Sequence, residues 1–576
     1  MSLRISSFVR RFTFIASVVG GIYLADDKFN ARTLQRNILT IWNGVCIGLD
    51  YKINFRPGKG DKIDDLHERV AKRILNVCLS NGGLYIKLGQ AIGVQSAILP
   101  VAYQRTFKQL YDDAPAVNFD RVVKIFKEDF NCHPDEMFDD FERTAIASAS
   151  IAQVHRAKLK NGTPVAVKIQ KPDIRRQMDW DLLAYKALMH MYEYIFDLPL
   201  VWSANYTEKH LRQEVDFENE GRNSERVRIE FENERSLNDK VYVPKVFWDQ
   251  TSKRVLTAEW IEGIKITDQE GLQRYGFTFN NVMKTVIDIF AFQIFVSGFV
   301  HADPHPGNVL VRPHPSKSNK YYQVVLIDHG LCMEESIAFR HQYCLFWKSL
   351  FLMDSDMINQ ICKEWGINEP DLFVSATLMK PYSSQTAVHI SSTQSATLRD
   401  AYEMQMAVKD RIRKFLADTE LIPRELIFVG RNMNIVRSLN RELGSPVNRI
   451  NLMGNWAVKG LGPDWSNWGG NAKTYEQQRQ FQLVSGNDYQ LSTYNKNFLS
   501  FVEQFGFILK SRFNYWLFQS TLFLISLSFY FNNAKEAIVS WIYNSGPRGF
   551  EEVLDDQIKT SLENFGMVFD EKFFEG

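Results

Sequence analysis

Cysteine is scarce in this chain of 576 residues: Cys46, Cys78, Cys132, Cys332, Cys344 and Cys362 are scattered, and no two form a CxxC pair. That pattern argues against a zinc framework or a disulfide scaffold and leaves them as reduced core residues. An excess of either charge is also missing. The formal net charge is +1, which supplies no field for nucleic acid. Acidic residues are absent before Asp26, while Arg4, Arg10 and Arg11 stand among serine and threonine, the make-up of a mitochondrial import segment, with a secretory signal and a soluble amphipathic start as the competing readings. Long apolar runs are few. Phe12 to Ala25 is uncharged but only 14 residues long, against the ~20 a helix needs to cross a bilayer. It either spans a thin membrane with Arg10 and Arg11 snorkelling, or is cleaved. Phe513 to Ala534, between Arg512 and Lys535, is long enough to span, but also fits a helix buried against the rest of the chain or lying in the interface.

With 45% hydrophobic and 23% charged residues the chain is globular, and its length calls for two or more domains. Its most informative stretch is His301-Ala302-Asp303-Pro304-His305-Pro306-Gly307-Asn308. The segment follows an apolar run, Val286 to Val300, and precedes a strand-like run, Val324 to Ile327, that ends in Asp328-His329-Gly330. Asp303 and Asn308 stand five apart, the Asp-to-Asn spacing of the protein-kinase catalytic loop. Phosphoryl transfer needs a carboxylate near the acceptor and hard oxygen ligands for Mg²⁺ on rigid backbone. The prolines supply the rigidity. Asp328-His329-Gly330 then resembles the magnesium-binding Asp-Phe-Gly.

Upstream, Asp64 to Ser80 carries a helical apolar stripe, Asn81-Gly82-Gly83 interrupts it, and Leu84 to Leu99 reads as a second helix holding Lys87-Leu88-Gly89-Gln90. Val122 to Phe130 reads as a further helix. Ala147-Ser148-Ala149-Ser150 then leads into a β-hairpin around Asn161-Gly162, whose second strand carries Val165-Ala166-Val167-Lys168. This is the order of a kinase nucleotide lobe: phosphate loop, strand, turn, and the strand whose lysine meets the nucleotide phosphates. Glycines are missing from that loop. Alanine side chains there stiffen it and should alter nucleotide geometry. The acidic segment with Glu208, Glu214, Asp216 and Glu220, read as one helix, puts Asp216 and Glu220 on one face and Glu214 on another, implying two partners. Val241 to Trp248 and Arg254 to Trp260 read as strands. Backbone groups from Glu259 to Ile261 would meet adenine at a hinge, unless the strand simply ends there. Phe279 to Ser297 reads as a buried helix, Arg312 to Gln323 as an exposed insertion, and Pro463 to Asn495 as a polar loop. Arg431, Arg437 and Arg441 are assigned no site.

Taken together, KLGQ at 87–90, ASAS at 147–150 followed by IAQVH, VAVK at 165–168, Glu214-Val215-Asp216, HADPHPGN and DHG resemble the UbiB family, also called Abc or ADCK atypical kinases, in its mitochondrial ADCK branch. The likeness runs from about Asp64 to Leu350 and more weakly to Leu461. The resemblance implies an α+β, bilobal protein-kinase-like fold with an N-terminal KxGQ helical extension and a helical C-terminal region. The divisions expected are a targeting segment over 1–36, the KxGQ extension over 60–130, an N-lobe over 140–264, a C-lobe over 265–461 and a C-terminal extension over 462–576.

The resemblance further implies that Lys168 contacts nucleotide phosphates and pairs with Glu220, and that Asp303 takes the catalytic position. Asn308 and Asp328 would hold Mg²⁺. The loop Ala147, Ser148, Ala149 and Ser150, with Glu259 and Ile261, would line the ATP site. Lys87, Gly89 and Gln90 would cover the active site, with Lys87 pairing to Glu214 beside Asp216. Blocked in this way, the site suits ATP hydrolysis or the phosphorylation of a small molecule or lipid better than that of a protein. Expected partners are mitochondrial membrane lipids and quinone or lipid intermediates, at the inner membrane, in coenzyme Q or lipid homeostasis. The alternative is a nucleotide-gated lipid-binding or scaffolding pseudokinase.

Overall fold

In the computed structural model, residues 20–56, 62–94, 101–111, 116–197, 200–318, 321–368, 370–378 and 422–461 are described, together with short stretches within 14–18 and 516–535. The arginines of the leader, the loop over 463–495 and most of 462–576 lie outside the described residues. Helix α1, Thr33–Asn54, runs through the expected boundary at residue 36, and Arg36 is buried on Asp181 rather than part of a detachable leader. The helix is built inside out. Apart from Ile47, its buried face is small or polar, with Thr33, Arg36, Thr40, Gly44 and Gly48, while Leu34, Ile38, Trp42, Leu49 and Ile53 are exposed. Gly44 makes room for the end of the Leu188 side chain, which would stand 2.3 Å from a Cβ there. Helices α2, Ile63–Asn81, and α3, Leu84–Val94, follow, joined by Gly82 and Gly83 at φ 65° and 53°. The stripe Leu66, Val70, Leu75 and Cys78 packs on Tyr103, Phe107 and Leu110.

Helix α4, Phe119–Phe130, presses Val122, Ile125 and Phe126 onto the first sheet. That sheet has the order β1-β3-β4-β6, with β2 on β3: β1 Phe138–Phe141, β2 Ala147–Ser148, β3 Ala152–Leu159, β4 Pro164–Gln170 and β6 Val255–Glu259. The β3–β4 hairpin closes as the Asn-Gly pair predicts. Gly162 takes φ 83° and Asn161 Oδ1 accepts the Thr163 N–H at 3.0 Å. Alternation then sends Val165, Val167 and Ile169 into the core and Lys168 to the opposite face. Helix α5, Ile174–Phe196, packs along α1. The acidic segment is two helices, not one: α6, Val201–Glu214, ends before Asp216, whose carboxylate caps α7, Phe217–Asn233, by accepting the Glu218 and Asn219 N–H groups. An aspartate that caps a helix is off the shared face expected for it with Glu220.

Two further expectations change. Only Val241–Tyr242 of the segment to Trp248 is a strand (β5), and it pairs parallel to β10 in a second sheet; Pro244 cannot donate to a ladder and ends it. The span from Arg312 to Gln323 is less an insertion than a hairpin, because β9, Val309–Pro313, and β10, Tyr322–Leu326, pair from Val309–Leu326 out to Pro313–Tyr322. With β7, Ile264–Lys265, they complete a sheet of order β5-β10-β9-β7, and β8, Phe299–His301, pairs with β11, Cys332–Glu334.

The main core lies below these sheets. It centres on α8, Phe279–Phe292, which continues as a π-turn to Ser297, and on α9, Ile337–Leu352, α10, Glu425–Glu442, and α11, Arg449–Gly460. The 279–297 helix is apolar and long enough to cross a membrane, but 67% of it is buried inside the protein. The described part of Trp516–Phe531 docks one face here: Phe518 meets Phe351, and Asn451 donates to the Leu522 carbonyl at 2.9 Å. Its other face exposes Trp516, Phe523, Leu524, Tyr530 and Phe531.

Candidate functional site

The catalytic-loop segment is fixed by His301, which is buried at the end of β8. Its Nδ1 accepts the Asp303 N–H at 3.1 Å, and its Nε2 donates to the Asp328 carbonyl at 2.7 Å, so one ring ties the loop to the DHG segment. Pro306 to Asn308 forms a 3₁₀ turn capped by His305. Asn308 gives its amide N–H to the Asp303 carbonyl at 3.3 Å, a bond that does not use its side-chain oxygen, the atom able to ligate a cation. Asp328 folds over its own turn, accepting the Gly330 N–H at 2.9 Å.

Lys168 reaches this point from β4. Its ammonium lies 2.7 and 2.9 Å from the two Glu220 oxygens and 3.1 Å from Asp328 Oδ2, while Glu220 is nearly inaccessible. Burial opposes the charge on each group, and the balance differs among them. The Asp328 carboxyl, helped by Lys168, the Gly330 N–H and His301, titrates well below the usual carboxylate range. Lys168, held by Asp328 and then Glu220, titrates well above an ordinary lysine. For Glu220 burial wins over Lys168 and pushes the group up. The resting site is therefore an ammonium shared by two carboxyls, with Asp328 carrying the firmer negative charge.

Lys87 of α3 forms an ion pair with Glu214 at the end of α6. Burial lowers its proton affinity, yet Glu214, Asp303 and Asp328 together raise it, which places the Lys87 ammonium in the field of the catalytic loop. Gly330 marks the meeting point: a Cβ there would stand 3.4 Å from Glu220 and 3.7 Å from Glu214. Gly89 allows α3 to pack this closely, since its Cβ would fall 2.4 Å from Leu110 and 3.0 Å from the Cys78 sulfur. Gln90 differs from expectation. Its amide donates to the Leu110 carbonyl at 2.8 Å, inside the helical extension, a bond that braces α3.

The alanine loop is pinned. The Ala149 N–H donates to the Ala152 carbonyl at 2.8 Å, and the Ala149 carbonyl accepts from Lys171 at 2.6 Å. Ser148 Oγ and Ser150 Oγ are buried without a hydrogen-bond partner among the described residues, polar groups of the kind a phosphate would satisfy. At the hinge, the Glu259 N–H is taken by the Lys245 carbonyl and the Trp260 N–H by the Pro164 carbonyl. The Ile261 N–H is left without a backbone acceptor among the described residues.

Two contributors to the site escaped the sequence reading, and both come from α10. Arg431 Nη2 lies 3.0 Å from Asp303 Oδ1, and Asn432 donates to the His301 carbonyl at 2.6 Å. No local motif marks them, because they lie more than 120 positions beyond the loop they hold. As for metals, no group of three or more His, Cys, Asp or Glu side chains among the described residues is arranged to hold a metal ion by itself. The oxygens of Asp328 and Asn308 are nonetheless hard donors of the type Mg²⁺ accepts when the remaining ligands are phosphate and water.

Comparison with known proteins bears on this arrangement. Residues 109–362 match the ABC1 atypical kinase-like domain. The chain is 41% identical to an ABC1 family protein of Schizosaccharomyces pombe over 78% of its own length and 84% of that relative. It is 36% identical to an ABC1 family protein of Purpureocillium lilacinum, covering 80% and 83%. With AarF domain-containing protein kinase 1 of Xenopus laevis it shares 32%, covering 66% and 72%. A Mycobacterium tuberculosis protein solved with erythromycin aligns over 71% of this chain and 99% of its own, at 18% identity and a TM-score of 0.39. The kinase-like domain match and the extent of these relatives establish that the chain belongs to the ABC1 family of atypical kinase-like proteins, the UbiB/ADCK group.

Proposed function

We propose that this protein binds ATP with Mg²⁺ between its lobes and passes the terminal phosphoryl group to water or to a small or lipid acceptor, rather than to a protein. The observation that carries this reading is the placement of Lys168 between Glu220 and Asp328. A lysine so held is pre-positioned for nucleotide phosphates, and Asp328 and Asn308 would hold the metal, which would neutralise charge developing on the phosphates. Asp303 would orient the acceptor and take its proton, with Arg431 fixing the carboxylate. Lys87, paired to Glu214 in the field of Asp303 and Asp328, supports exclusion of a polypeptide acceptor.

A mitochondrial inner-membrane setting, with membrane lipids and quinone or lipid intermediates as partners and a part in coenzyme Q or lipid homeostasis, completes the proposal. It is supported by the arginine-bearing leader and by family membership. The exposed apolar faces of α1 and of Trp516–Phe531 suit a lipid surface. The decisive test is Mg²⁺-dependent nucleotide binding to purified protein. Asp328→Asn should abolish it, and an unchanged affinity in that variant would overturn the reading.

A second reading, a nucleotide-gated scaffold without turnover, is favoured by the Arg431–Asp303 ion pair, which neutralises the catalytic carboxylate in the resting state. Full cellular rescue by a chain carrying both Asp303→Ala and Lys168→Ala would decide for a scaffold.

A further inference from the structure

Outside the site described above lies a cavity of about 590 Å³, none of whose lining residues belongs to that site. It is walled by the start of α1, the end of α2, α4, the start of α5 and Arg254 beside β6. Its walls are rich in cations. Most are already neutralised: Arg36 by Asp181, Arg254 by Asp129, Arg32 by Asp27, and Arg121 by Asp173. Lys124 stands 4.0 Å from Glu128. What remains is Lys28, Arg175 and Arg176, which line the same cavity with no carboxylate partner among the described residues.

We propose that this cleft is a binding site for a phosphate group, separate from the nucleotide site. Three uncompensated cations around one concavity match a phosphate monoester, which carries close to two negative charges at neutral pH. The guanidinium forks of Arg175 and Arg176 suit its oxygens geometrically. A single carboxylate would leave two cations unpaired, and a nucleic acid would need an extended basic surface, which a chain of net charge +1 lacks. Such a ligand would add to the polar contacts that already join these parts, among them Arg36 on Asp181 and Asn81 on Thr40. Lys28 precedes α1, Arg175 and Arg176 open α5, and between them Gln177 donates to the Ala31 carbonyl at 2.8 Å. Arg36 also donates to the carbonyl of Asn81, which ends α2 just before the two glycines that lead into α3. A phosphate in the cleft would therefore brace the helical extension that carries Lys87. At the rim, exposed Phe29 lies beside Lys28, so the phosphate could arrive on a lipid as well as free in solution.

The test uses the full chain and two probes: glycerol phosphate by calorimetric titration, and sedimentation with phosphatidylcholine vesicles with or without phosphatidic acid. Binding of either probe is expected to weaken at least about tenfold in the double variant Arg175→Glu, Arg176→Glu, a change worth about 1.4 kcal/mol. It should fall by less in Arg175→Lys, Arg176→Lys, which keeps the charge but loses the forks, and should be unchanged in Lys168→Met, which alters only the nucleotide site. Binding of glycerol phosphate alone would assign a soluble ester, and binding of phosphatidic acid vesicles alone a lipid headgroup. Binding of neither probe, or equal affinity in the charge-reversed variant, overturns the site. Because Lys168→Met reports separately on the nucleotide site, failure of that function and failure of this cleft are distinguishable.

Discussion

At the scale of single residues, the site is a small set of charges with unequal claims on one another. Lys168 could be singled out from VAVK and Asp303, Asn308 and Asp328 from their spacing, because each sits in a short motif, and the fold brings Lys168 onto Asp328. Arg431 was not, since its relation to Asp303 exists only after α10 has packed beneath the loop. Both partners are partly exposed, so solvent screening keeps the ion pair modest in stability terms. Its larger effect should be on orientation. Replacing Arg431 by alanine is expected to lower ATP turnover by about tenfold, equivalent to about 1.4 kcal/mol of barrier, while nucleotide affinity stays within about twofold. Steady-state hydrolysis beside equilibrium nucleotide binding checks this, and a parallel loss of affinity would point to a structural defect instead.

Among the elements, α3 is the one whose position decides access. Periodicity and the Asn-Gly-Gly break showed where it starts, and KLGQ marked it as unusual, but the reason for its glycine is tertiary. A methyl group at 89 would meet Leu110 and Cys78. Gly89→Ala is expected to destabilise the protein by about 1–3 kcal/mol through overpacking, and to weaken the Lys87–Glu214 pair as α3 moves outward. Thermal unfolding checks the first effect. Faster proteolysis within the extension than within the lobes checks the second. The acidic segment illustrates what periodicity misses: carboxylates two and four apart fit one continuous helix, and only the N–H groups of Glu218 and Asn219 show that Asp216 interrupts it as a cap. Pro244, by contrast, was a visible signal for shortening a strand.

For the molecule as a whole, buried histidines set the acid limit. Burial, together with nearby cations, holds His210 and His341 down to about 4. A histidine depressed in the folded state contributes stability that is complete above its ordinary value of about 6.5 and is lost as pH falls toward the folded value. The unfolding temperature should therefore drop between about pH 6.5 and pH 4, with a slope of up to about 1.4 kcal/mol per pH unit for each group. The double variant His210→Gln, His341→Gln should lessen that slope without removing it, since burial also holds His155, His301 and His329 down, as calorimetry across the range would show.

The kinase-like plan was readable at this scale because its motifs follow one another in chain order. The phosphate cleft was not, because its unpaired cations come from segments far apart in sequence that share no pattern. One further feature governs the molecule's tempo. Helix α7 belongs to the upper lobe through Glu220, yet Asn223 donates to the His329 carbonyl at 3.0 Å, Arg226 reaches Glu334 at 3.1 Å and its guanidinium lies over Phe299. With Lys168 on Asp328, these ties must part together for the lobes to separate. Under the proposed function, the dwell time of a nucleotide in the cleft would be set by the opening of this clasp, so that it would leave slowly even where its own contacts are few.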